Sequence, residues 1–257
     1  MKILFERGDS DPNKPNEYGQ TPLWWATSEG HEGVVKILLG RDDVDPDKLD
    51  EYGRTPLYLA TKNGHEGIVE LLLGRGDVNP HQLVDDGLTP LEWAVLGRHE
   101  GVVKILLGRG NFDPDKPDKY GQTPLGLAAF HGHEGAVKIL LERDDVDPDK
   151  PDVDGRTPLS WASWSGHEGV VKILLARDDV DPDKPNMCGQ TPLSLAAGYG
   201  HEGVVKVLLE RDDINPNKLD MYGQTPLRWA TSKGRKGVVK MLLRRDDINP
   251  AKRRKLG

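Results

Sequence analysis

The sequence predicts an all-α solenoid of short helix–turn–helix units joined by projecting loops. Three observations predict it. Thr-Pro-Leu recurs at residues 21, 55, 89, 123, 157, 191 and 225, always 34 residues apart. A glycine turn and a run close to Val-Val-Lys-x-Leu-Leu follow each copy, and an Asp- and Pro-rich stretch closes each period. A fixed period of this length marks a stack of identical units, each burying its apolar face on its neighbours, rather than one enlarged core. Residues 1–257 therefore read as one repeat domain. It has a partial unit at 1–18 and seven 34-residue units starting near 19, 53, 87, 121, 155, 189 and 223.

The unit at residues 53–86 shows why each element forms. Thr55 can cap a helix by accepting a backbone N–H, and Pro56 suits the first helical position, where no donor is needed. Leu57, Leu59 and Ala60 give this helix an apolar stripe. Gly64 can take the left-handed conformation that ends it. Glu66 then places negative charge at the start of a second helix. Ile68, Val69, Leu71, Leu72 and Leu73 make that helix apolar around much of its girth, so it should be the more buried of the two. Pro80 lacks a donor and restricts its predecessor, so Asp77-Val78-Asn79-Pro80 leaves the helix for an extended loop. One such pair of short helices is marginal alone, and stacking supplies the missing core.

Bulk composition narrows the class. Apolar residues make up 36% and charged residues 30%, as expected of a thin stack with much wetted surface. The single cysteine, Cys188, excludes an intrachain disulfide and fits a reducing compartment. No apolar run is long enough for a membrane span. The reading is a monomer of the cytoplasm or nucleus. The net charge of −7 is uneven. Residues 225–257 hold eleven Lys and Arg against Asp246 and Asp247, a balance of +9, which leaves −16 on residues 1–224.

Gly-x-Thr-Pro-Leu, then x-x-Ala-x-x-x-Gly-His, then Val-Val-Lys-x-Leu-Leu, resembles the ankyrin repeat over almost the whole chain. The Asp-Asp-Val-Asp-Pro-Asp-Lys loops and the Trp-Ala of the first helix look most like ankyrin arrays of fungi, often the C-terminal part of NLR-like proteins. No Gly-x-x-x-x-Gly-Lys-Ser/Thr phosphate loop occurs in this sequence. The resemblance implies a non-catalytic protein–protein recognition scaffold, with first-helix positions and loop tips lining a concave binding face. Three departures matter. The unit is 34 residues long rather than 33, so the loop tips need not follow the usual hairpin. The family's His after Thr-Pro-Leu is replaced by Trp24, Tyr58, Glu92, Gly126, Ser160, Ser194 and Arg228. Unit three has Arg98 where the others have Gly, with Gly97 one place earlier, so its turn should differ. The chain opens within a second helix and stops where an eighth unit would begin. It reads as a segment of a longer array, or as one capped by its basic last unit.

Catalysis is not expected. His31, His65, His99, His133, His167 and His201 each precede a Glu, but Val occupies the place of a second metal-binding His, and the motif reads as an organiser of the turn and helix start. Asp43, Asp45 and Asp47 imitate the first ligands of a calcium loop, yet Pro46 and Lys48 interrupt the run and Arg54 stands at position twelve. Their reading is a solvated loop with local turn bonds. Cys188 has no fixed His partner. No cofactor and no metal site is expected.

Recognition should lie at the variable positions. Phe130 and Trp164 are equivalent in successive units, with His131 beside Phe130, and Tyr199 falls one place along in the next unit. Aromatic residues are the usual anchors of interfaces. The same reading takes in Trp24 and Tyr58 after Thr-Pro-Leu, and the loop residues Tyr52 and Tyr120. Trp25, Trp93, Trp161 and Trp229 alternate with Leu59, Leu127 and Leu195 at one framework position and should be core. A second reading places an anionic partner or nucleic acid on a basic end formed by Arg228, Lys233, Arg235, Lys236, Lys252, Arg253, Arg254 and Lys255. The last four also read as a nuclear signal. A third reading is a structural spacer. An unidentified protein is the expected partner, with nucleic acid and membrane not expected.

Overall fold

A computed structural model describes residues 11–82, 87–109, 112–245 and 248. Lys252, Arg253, Arg254 and Lys255, half of the basic end, lie outside them. The described residues hold fourteen helices and no strand, in two compact bodies, residues 1–114 and 115–257. The first body contains α1 (Pro22–Ser28), α2 (Glu32–Leu39), α3 (Pro56–Asn63), α4 (Glu66–Leu73), α5 (Pro90–Leu96) and α6 (Glu100–Leu107). The second contains α7 (Pro124–His131), α8 (Glu134–Leu141), α9 (Pro158–Ser165), α10 (Glu168–Leu175), α11 (Pro192–Tyr199), α12 (Glu202–Leu209), α13 (Pro226–Ser232) and α14 (Lys236–Leu242). Within each body the first helices pack in one row and the second helices in another.

The local signals act as their chemistry dictates. Each of the seven repeated Thr residues caps its helix, as when Thr55 Oγ1 accepts from the Tyr58 N–H at 3.1 Å. Unit three adds a reciprocal bond, with the Thr89 N–H donating to Glu92 Oε2 at 2.6 Å. Leu57, Leu72, Leu125, Leu140, Leu159 and Leu174 are fully buried between the rows. The second helices are not the more deeply covered ones: in α3 six residues are buried, in α4 three. Loop aspartates also reach the first helices, as where the Trp24 indole N–H donates to Asp50.

The turn of unit three keeps its shape, contrary to expectation. Gly97 is an ordinary right-handed helix end, and Arg98 itself adopts the left-handed conformation at φ 58°. The following bond is conserved, His99 N–H to the Ala94 carbonyl at 2.9 Å, as for His65 and Ala60. The geometry is imposed by the stack, and a non-glycine residue accepts it at a cost of about 1 kcal/mol.

Long-range bonds between units carry functions the sequence does not display. The His side chains do not cap their own helices. They donate backward instead: His99 Nε2–H to the Lys62 carbonyl at 2.9 Å, His167 to Phe130 at 3.0 Å and His201 to Trp164 at 2.9 Å. In these three turns the residue is glycine, and a Cβ on Gly166 would stand 2.5 Å from His201 Nδ1. After five of the second helices an arginine grips an aspartate two residues on: Arg41–Asp43, Arg75–Asp77, Arg143–Asp145, Arg177–Asp179 and Arg211–Asp213, the fourth at 2.7 Å. The Arg177 guanidinium also donates to the Leu141 carbonyl at the end of the preceding second helix, where cations are favoured. Loop aspartates accept the backbone N–H of the next loop: Asp47 from Asn79, Asp149 from Asp181 and Asp183 from Asn215, at 2.6–2.7 Å. The local turn bonds are present too, as from the Asp47 N–H to Asp45 Oδ1 at 3.0 Å.

Candidate functional site

The residue before the turn on the first helix faces outward in the second body, and there the aromatic side chains meet. Phe130 on α7 and Trp164 on α9 stack with centroids 5.6 Å apart and planes 17° from parallel. Tyr199 on α11 meets Trp164 edge-on at 5.4 Å. Trp161, one helical turn before Trp164, contacts both Phe130 and Trp164, at 5.1 and 5.6 Å. His131 lies edge-on to Phe130 at 4.7 Å. Desolvation, then the neighbouring His133 and His167, lower the His131 pKa and favour its neutral form. The row is half-buried at Phe130 and Trp164, while Tyr199 is 50% exposed.

This row is held from behind. The carbonyls of Phe130 and Trp164 are the acceptors for His167 and His201. In unit seven Arg235 replaces the His, and its Nε–H donates to the Gly198 carbonyl at 3.2 Å. Helix ends fixed in this way present rings at low entropic cost on binding.

The first body distributes its aromatic residues otherwise. Trp24 and Tyr58, at 6% and 4% exposure, form a buried cluster with Leu59, and Trp93 packs against it. The Trp24 indole N–H donates to Asp50 Oδ2 at 3.1 Å, beneath Arg54. Tyr58 is edge-on to Trp93 at 5.5 Å and capped by Lys62. The expectation that Trp24 and Tyr58 meet a partner is therefore corrected: the position after Thr-Pro-Leu turns inward, and it is buried in every unit but the last, where Arg228 is exposed. The framework tryptophans are corrected in the opposite sense. Trp25 is 48% exposed, and Trp93, Trp161 and Trp229 are only partly covered, whereas Leu59, Leu127 and Leu195 at the same position are buried. The indole is too large for the space, so it lies along the surface. The Trp161 and Trp229 N–H groups donate to Asp152 and Asp220, at 3.1 and 2.8 Å. Tyr52 and Tyr120 are exposed at loop tips, beside Arg54 and Lys119.

The basic residues that are described lie on more than one surface. Lys233 and Arg235 line a cavity of about 380 Å³ together with Trp164, Tyr199, Trp229 and Arg156. Arg228 and Lys236 are exposed, and Lys236 lies on a different surface, with Val239 and Leu243. No cluster of His, Cys, Asp and Glu able to hold a metal occurs among the described residues, and none of their helices is long and apolar enough to cross a membrane.

Models of ankyrin repeats, each spanning three copies, match residues 1–82, 43–118, 110–186 and 178–253. The chain belongs to the ankyrin-repeat family. Among solved structures it is similar to the ankyrin repeat domain of Bcl-3, described as a unique member of the IkappaB protein family. That similarity has a TM-score of 0.78 at 27% identity and covers 88% of this chain and 99% of that one. No curated protein sequence matches the chain. As an ankyrin protein it is an interaction module by kind. The family membership does not point to particular residues, because the conserved phrases build the frame and the surface varies independently.

Proposed function

We propose that this ankyrin protein is a non-catalytic recognition scaffold whose protein partner docks on the concave face, at Phe130, Trp164 and Tyr199. One observation carries the reading. Three rings on successive units touch one another, remain partly exposed, and sit on helix ends pinned by the histidine and arginine bonds described above. Core packing does not require them, since the positions of Phe130 and Trp164 hold Ser28, Lys62 and Ser232 elsewhere. We place the array inside the cell, as the sensor part of a larger receptor of the fungal type that its loops resemble.

The test is paired capture from a fungal lysate, with the parent chain and a Phe130→Ala, Trp164→Ala, Tyr199→Ala variant whose helicity is confirmed by circular dichroism. A protein recovered by the parent and lost from the variant is expected. Equal recovery by both overturns the aromatic face. Nucleic acid recovered by both, and released steeply by added salt, would assign the basic-end reading instead.

A further inference from the structure

The ring row has a gap. Residues 130, 164 and 198 are equivalent, and the third is Gly198 where the first two are Phe and Trp. Gly198 belongs to α11 at an ordinary helical position, not among the glycines with positive φ. A Cβ placed there would meet Trp229 Cβ at 3.6 Å, an ordinary contact, so the backbone does not demand glycine. Gly also weakens a helix interior by roughly 0.5–1 kcal/mol relative to Ala. Gly198 lies instead in the wall of a cavity of about 380 Å³. That volume falls within the range of small-ligand sites.

Its walls are aromatic or aliphatic at Trp164, Tyr199, Trp229 and Leu195, neutral and polar at Gln190 and Ser194, and cationic at Arg156, Lys233 and Arg235, and no carboxylate lines it. Arg156 is paired with Asp154 at 2.8 Å. Lys233 and Arg235 have no acidic partner among the described residues. The Lys233 ammonium stands 5.9 Å above the Trp229 ring, and Arg235 is held by the Gly198 carbonyl. This cationic site belongs to a chain of net charge −7. Such a site attracts anionic groups and repels cationic ones, and aromatic walls favour a planar apolar group.

We propose that this cavity receives one aromatic side chain, flanked by carboxylates, from an acidic segment of the protein partner. The incoming ring completes the row Phe130–Trp164 at the place Gly198 leaves empty, and the flanking carboxylates reach Lys233 and Arg235. This rests on the reading that the face recognises protein, and it adds the chemistry of what is recognised.

The probe is the capped peptide Glu-Asp-Phe-Asp-Glu, followed through the indole N–H resonances of Trp164 and Trp229 in the full chain. Saturable shifts of both are expected. Replacing the peptide's Phe with Ala, or its acids with Lys, is expected to weaken binding at least tenfold. On the protein, Gly198→Phe fills the gap with the residue its own unit four uses, and Lys233→Glu reverses a charge in the wall while leaving the bond from Arg235 to the Gly198 carbonyl in place. Each should also weaken binding at least tenfold. Shifts absent at millimolar peptide, or unchanged by both variants, overturn the proposal. Preference for the Lys-flanked peptide overturns it too. The two readings separate in the capture experiment. A partner lost from the triple-alanine variant but retained by Gly198→Phe and by the charge reversal leaves the face standing and removes the cavity. A partner retained by all three removes both.

Discussion

The two bodies of the molecule are built from the same repeated phrase but spend their aromatic residues differently. In the first, Trp24 and Tyr58 stand after Thr-Pro-Leu and are buried with Leu59 against Trp93. In units four to six of the second, that position holds Gly126, Ser160 and Ser194, and the rings move to Phe130, Trp164 and Tyr199 at the outer end of the helix. A shift of a few residues along one short helix turns a packing residue into a surface one. Ser160 and Ser194 stay satisfied inside because the capping threonines donate to them, at 3.3 and 3.2 Å. Aromatic content alone therefore says nothing about recognition. The place on the helix decides.

The largest effect expected from this contrast is on stability. Tyr58→Ala empties a buried site and should cost about 3 kcal/mol, whereas Trp164→Ala removes a half-exposed ring and should cost about 1 kcal/mol. Urea titration followed by circular dichroism measures both, and equal costs would break the distinction between packing and presenting rings. A smaller pair of opposite effects tests the turns. Arg98→Gly relieves a left-handed arginine in the first body and should stabilise by about 1 kcal/mol. Gly166→Ala in the second body should destabilise by about 2 kcal/mol, because the new Cβ strains the turn and collides with the His201 ring. Thermal melts of the two variants should move in opposite directions from the parent.

The smallest effect concerns a feature the bodies share. Burial raises the carboxyl pKa of Asp47, Asp149 and Asp183 above the ordinary 3.8, against the lowering influence of the backbone N–H each accepts. One oxygen of each is buried without a hydrogen-bond donor. A raised folded-state value means that the folded chain holds its proton to higher pH than the unfolded chain does. Stability from these groups is thus greatest below 3.8 and declines as pH rises through the folded values. The exposed Asp77 and Asp179 act in the opposite sense, because Arg75 and Arg177 lower their pKa, and their contribution is lost on acidification. Changing Asp47, Asp149 and Asp183 to Asn keeps each acceptor and removes the buried charge. The variant's melting temperature should gain on the parent's as pH rises from about 3 to about 7. A constant difference across that range would refute the assignment.

Much of the frame was legible because its causes are local. A capping Thr, a Pro at the first helical position and a turn Gly each act on backbone within a few residues, and the structure shows all seven threonine caps. That Phe130, Trp164 and Tyr199 stand close together on successive units was legible too, since equivalent or adjoining positions on stacked units become neighbours. Trp24, Tyr58 and the framework tryptophans were misplaced for one reason. Which side of a helix is covered depends on the neighbouring unit and its loop. The roles of His167, His201 and Arg235 were hidden likewise, because their acceptors lie 37 residues away.

The sequence by itself determined the repeat, its helices and their ends, since these follow from backbone chemistry over short stretches. Only the tertiary structure decided which rings face solvent. It alone brought Lys233 and Arg235 beside Trp164 and Tyr199, and it set Gly198 in the wall of a cavity. Those outcomes depend on distances between units, and no interaction within a single unit sets them.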